Sequence, residues 1–99
     1  MIRLEDRLNE VRDEVRSSLL AAGRGAEDTR ILAVSKQQPT AAIKTLFKVG
    51  QKDFGENYAQ DALEKIERLK QYNLRWHFIG QVQSNKTKII AERFQWVHT

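Results

Sequence analysis

Three short stretches carry the residue types that do chemistry: ILAVSK at 31–36, FGENY at 54–58, and WHFIG with QSNK across 76–86. Lys36 is the sharpest of these candidates. An amine attacks a carbonyl only when unprotonated, and burial or neighbouring cations push a lysine toward that state. Lys36 follows an apolar run, and residues 30–50 hold Arg30, Lys36, Lys44 and Lys48 with no acid. These features point to a Schiff-base lysine. The alternative, and the commoner case, is an ordinary exposed lysine in a strand-to-helix loop. His77 lies between Trp76 and Phe78, on one strand face with Ile79. It either lines a ligand pocket or is a core histidine with satisfied ring nitrogens. His98 is too remote to propose a metal site with it. Asn57, Ser84 and Asn85 are candidate helix N-caps, and a helix N-terminus also attracts anions, so the two roles can coexist. GENYAQD and GQVQSNK match neither the dinucleotide fingerprint nor the P-loop.

The elements that must position these residues can be read from periodicity. Leu4, Leu8, Val11, Val15 and Leu19 follow helical spacing, and Gly23 and Gly25 stop that amphipathic helix. A polar connection follows at 23–29. ILAVS (31–35) is apolar on both faces, as a buried parallel strand would be. Thr40 is the expected N-cap of the next helix, which Gly50 closes. A second strand is expected at 51–55. A helix beginning at Glu56 or Asn57 follows it, with Asp61–Lys65 and Glu64–Arg68 pairs on its wet side and Asn73 as C-cap. A third strand is expected at 75–80, a helix capped by Ser84 or Asn85, and a fourth strand at 94–98. The order α-βα-βα-βα-β with short connections implies parallel strands. It leaves two architectures, a doubly wound sheet or the start of a (β/α)8 barrel, and four strands cannot close a barrel. In both, functional groups gather at the carboxyl ends of the strands, where Lys36, Asn57, Tyr58 and the 80–86 segment fall.

Composition narrows the function classes. The chain has 99 residues, enough for one small domain, and no cysteine, which excludes disulfides, thiolate metal ligands and thiol catalysis. The charged start from Arg3 onward is not a signal peptide, and no apolar run approaches the roughly 20 residues of a membrane span. A cytoplasmic protein is expected. The net charge is +4, concentrated around the ILAVSK segment, and a local positive field attracts anions. Nucleic acid is one such anion, though the basic residues are spread at helical spacing rather than massed in a run, and a small phosphorylated ligand fits the charge equally well. The tryptophans and tyrosines do not interleave with the basic residues as a stacking platform requires.

The motifs ILAVSK-x-x-P, FGENY-x-Q and WHFIG-x-x-QSNK, in this order and spacing, resemble the YggS/PROSC family of pyridoxal 5′-phosphate-binding homeostasis proteins. The resemblance covers the whole chain, through His98 and Thr99. It implies an α/β fold, the N-terminal part of a (β/α)8 TIM barrel like the N-terminal domain of alanine racemase. Residues 1–99 would form an incomplete barrel domain, roughly its first half. The resemblance further implies pyridoxal phosphate as the cofactor, Lys36 as the lysine forming the internal aldimine, and Asn57 and His77 near the cofactor ring. A non-enzymatic role in vitamin B6 homeostasis is implied, with a racemase-like enzyme as the alternative. That alternative needs a second acid/base group, for which Tyr58 and His77 are the candidates. Gln38 departs from the family, where a second lysine is frequent. The length departs too, because the region holding the phosphate in the family is absent. This leads to two expectations for the chain as it stands: weak cofactor binding, and homo-oligomerisation through its exposed sheet edges.

Overall fold

A computed structural model describes residues 3–25 and 30–98, so part of the polar connection at 23–29 lies outside the described residues, as does Thr99. Helix α1 (Leu4–Ala21) buries Leu8 and Leu19 and carries Glu5 and Asp6 in its first turn, where the helix dipole favours acids. It ends at Gly23, with φ at +72°. The Gly23 and Arg24 N–H groups donate to the Leu20 and Leu19 carbonyls at 3.1 and 2.8 Å, the paired bonds of a Schellman motif. Helix α2 (Thr40–Lys48) ends the same way at Gly50, φ +93°. Pro39 rather than Thr40 occupies its N-cap, and Thr40 is the first helical residue.

Helix α3 (Ala59–Arg68) starts later than expected, after Tyr58 at the N-cap, and stops with Leu69 at its C-cap, well short of Asn73. A 3₁₀ turn (Ser84–Lys86) leads into α4 (Thr87–Arg93). Ser84 and Asn85 sit inside that turn and do not cap α4.

The strands are β1 (Ala33–Val34), β2 (Asp53–Glu56), β3 (Arg75–Phe78) and β4 (Trp96–Val97). They form one parallel sheet in the order β1-β2-β3-β4. This order decides between the two architectures. Right-handed crossovers between consecutive neighbours put the helices on one face, whereas a doubly wound sheet reverses its strand order to use both. The arrangement is that of a barrel wall. The outer strands are shorter than expected because each has a single ladder partner to define it.

One sheet face packs on the helices. Phe54, Trp76 and Phe78 are buried there with Ile43, Leu69 and Ile90. Phe54 lies 6.1 Å from Trp76, and Phe78 meets Phe94 edge to face at 5.3 Å. The other face carries Val34, Asp53, Gly55, His77 and Trp96. Gly55 is confined there, since a Cβ would lie 3.1 Å from Ile79 and 3.3 Å from Leu32. ILAVS is therefore not buried on both faces: Ser35 is 3% exposed and Val34 is 52% exposed.

Candidate functional site

The carboxyl ends of β1, β2 and β3 bring the candidate residues to one end of the sheet. Past β1, the Ser35 N–H still donates to the Gly55 carbonyl at 3.0 Å, and the chain then turns. The turn is closed by the Gln38 N–H on the Ser35 carbonyl, 3.0 Å. It requires Gln37 at φ +61°, a left-handed conformation that costs a residue with a Cβ about 1–2 kcal/mol. Lys36 is exposed on this turn. The apolar run before it implied burial, but Lys36 stands in the turn past the end of β1 and is exposed there.

Behind the turn lies a buried polar cluster. Lys65 Nζ contacts both carboxylate oxygens of Glu56, at 3.1 and 3.0 Å, and donates to the Ser35 carbonyl at 2.7 Å. The Ser35 hydroxyl donates to Glu56 as well. The expected surface pairing of Lys65 with Asp61 is thus replaced by an inward pair, with Lys65 and Glu56 side chains 11% and 1% exposed. The neighbouring Glu64–Arg68 pair does lie on the surface, at 3.9 Å.

Asn57 follows β2 directly. It does not cap α3; its Oδ1 is buried and has no hydrogen-bond partner. It lines a cavity of about 360 Å³ with Tyr58, Gly80, Gln83 and Lys86. Gly80 allows this approach, because a Cβ there would sit 2.5 Å from the Asn57 carbonyl oxygen.

His77 is buried within β3, and both its ring nitrogens are engaged. Nε2 lies 3.0 Å from Asp53 Oδ1 and Nδ1 lies 3.1 Å from His98 Nε2. An ionised carboxylate only accepts, so Nε2 carries the proton. The second ring nitrogen, Nδ1, shares its hydrogen bond with His98 Nε2. The ring stacks on Trp96 at 4.6 Å and on His98 at 5.3 Å. Asp53 also takes two 2.8 Å bonds from Arg75. Burial pushes the Asp53 carboxyl up. The hydrogen bonds from Arg75 and His77, with the charges of Arg75 and Arg30, outweigh this and hold it below the usual carboxylate range. Lys36, Asn57 and His77 therefore occupy three different surroundings: an exposed turn, a polar cavity and a saturated hydrogen-bond chain.

No protein-family model matches the chain. Curated relatives match along its length. The pyridoxal phosphate homeostasis protein of Pseudomonas aeruginosa is 46% identical over 99 residues, covering 100% of this chain and 43% of that protein. Its namesake in Escherichia coli K12 is 43% identical over 95 residues, covering 93% of this chain and 41% of that protein. Among solved structures, PipY of Synechococcus elongatus with PLP bound matches with a TM-score of 0.82 at 35% identity, covering 97% of this chain and 41% of PipY. The structure of PipY without PLP matches with a TM-score of 0.79 at 36% identity.

The chain is a homologue of the N-terminal part of the pyridoxal phosphate homeostasis proteins. It spans less than half the length of the curated homeostasis proteins it matches. Its fold matches the N-terminal part of the PipY TIM barrel. Two groups of the candidate site carry little or no signal in the sequence. Glu56 and Lys65 gave a weak signal, since both sit at helical or strand positions that turn out to face inward. Asp53 and His98 gave none, since their meeting with His77 needs the parallel pairing of β2, β3 and β4.

Proposed function

We propose that the chain is the N-terminal portion of a pyridoxal phosphate-binding homeostasis protein, a carrier rather than a catalyst, with Lys36 as its attachment point. The observation that carries this reading is the exposed Lys36 amine, set on a tied-down turn at the mouth of a parallel sheet. When bound, the cofactor supplies an aldehyde that condenses with a primary amine. The residues present suit such a group. Asn57 offers a buried amide oxygen without a partner, beside a polar cavity that also presents Tyr58 and Lys86. His77 contributes a fixed ring rather than a free nitrogen, because Asp53 and His98 occupy both of its nitrogens. That engagement favours carrier over racemase-like enzyme, since it leaves Tyr58 as the remaining acid/base candidate.

The deciding experiment is reductive labelling. The chain is treated with pyridoxal phosphate, reduced with borohydride and mapped by peptide mass. Label concentrated on Lys36 and lost in Lys36→Ala supports the reading; label scattered over surface lysines refutes it. Exchange of the α-proton of amino acids by the chain would favour the enzyme instead. The further reading is that the chain self-associates and takes a small-molecule cofactor rather than nucleic acid. Trp76 is buried in the core, and Trp96 already stacks on His77 with Arg30 5.8 Å from its ring, so the tryptophans do not form an open stacking platform. No helix is long and apolar enough to cross a membrane among the described residues, and a cytoplasmic setting accords with the cysteine-free composition.

A further inference from the structure

Ser35 is held at every polar atom it has. Its N–H donates to Gly55 and its hydroxyl to Glu56. Its carbonyl accepts from both Lys65 Nζ and the Gln38 N–H. Lys65 in turn spends all it has: an ammonium carries three donors, and its contacts are the two Glu56 oxygens and the Ser35 carbonyl. A salt bridge serving only to fasten α3 to β2 would stop at Glu56. Here the remaining donor reaches across to β1, onto the peptide immediately before Lys36. The same carbonyl closes the turn that holds Gln37 in its left-handed conformation. The backbone that carries Lys36 is thus fixed from the helix side of the sheet, while Lys36 itself stays exposed.

We propose that Glu56 and Lys65 are positioning residues for Lys36: their buried ion pair fixes the Ser35 carbonyl and so aims the Lys36 amine into the mouth of the sheet. This rests on the reading of Lys36 as the cofactor-bonding amine. The pair acts through the Ser35 backbone and does not itself touch the reacting atoms. A misplacement of about 1 Å in such a group lowers reactivity by up to about a hundredfold.

The test is the selectivity of reductive labelling, with Lys44 and Lys48 of α2 as standards inside the same molecule. Wild-type chain is treated with limiting pyridoxal phosphate and borohydride and compared with the double variant Lys65→Met, Glu56→Gln. The double variant removes the clamp without leaving an unpaired buried charge. The expected result is a drop of about tenfold or more in the ratio of Lys36 to Lys44 labelling, with the near-ultraviolet circular dichroism unchanged. The single variant Lys65→Arg, which keeps the charge and several donors, is expected to retain most of the selectivity. Lys65→Met with Glu56→Leu, which also leaves no buried charge and lets the Ser35 hydroxyl keep the Gly55 carbonyl as acceptor, provides the same comparison should the first double variant fail to fold. An unchanged ratio in a folded variant overturns the positioning role alone. No preference for Lys36 in the wild-type chain overturns the cofactor reading, and this proposal with it.

Discussion

At the scale of single residues, the proposed attachment lysine and the strand histidine differ in how many partners each has. Lys36 is exposed, in keeping with the proposed attachment, whereas His77 has both nitrogens taken and holds strands together. Asp53 is the hub of that second group, joining Arg75, His77 and Arg30. Its carboxyl titrates below the usual range in the folded chain, so it contributes stability that is full above about pH 4, the ordinary carboxylate value. That stability is lost as pH falls through the depressed folded value. Asp53→Asn is therefore expected to lower stability by about 1–3 kcal/mol at pH 7. The gap from wild type should shrink toward pH 3. Urea midpoints at both pH values check this, and parallel profiles for the two chains would contradict it.

At the scale of elements, two glycines are required for different reasons. Gly50 ends α2 at φ +93°, and the nearest atom to an added Cβ is a flexible Arg12 nitrogen at 3.9 Å. Its requirement is conformational. Gly50→Ala is expected to cost about 1–2 kcal/mol, and Gly50→Asn less, since asparagine visits the left-handed region more readily. Gly80 has no such φ; its requirement is space against the Asn57 backbone. Gly80→Ala is expected to cost about 1–3 kcal/mol by overpacking, and Gly80→Asn at least as much. Urea denaturation of the four variants checks the contrast. Equal tolerance of asparagine at both sites would show that the two causes are not distinct.

At the scale of the whole molecule, the four-stranded sheet presents β1 and β4 as edges. Val34, Trp96 and Val97 remain 52%, 39% and 44% exposed. Unpaired strand edges with apolar side chains recruit other strands, and a lysine placed on such an edge blocks this. The 99-residue chain is expected to self-associate at micromolar concentration, and Val97→Lys is expected to shift it toward monomer. Light scattering across a dilution series measures both. A wild-type chain that is already monomeric throughout would rule out edge pairing.

The α-βα-βα-βα-β order was legible in the sequence because each element carries its own local signature: the Leu4–Leu19 periodicity, the glycine stops at Gly23 and Gly50, and the apolar strand runs. Lys36 at a strand end was legible for the same reason. Boundaries slipped where pairing rather than propensity sets them, as at Glu56, which joins β2 instead of opening α3. What the sequence by itself determined is therefore the succession of elements and the type of residue at each strand end. The strand order, which periodicity left open between two architectures and only the motif resemblance implied, was fixed by the parallel pairing, and the inward turn of Lys65 onto Glu56 and Ser35 and the Asp53–His77–His98 chain were decided by tertiary structure alone. Each depends on which residues 9 to 30 positions apart become neighbours, and parallel crossovers set that by packing, which no local pattern encodes.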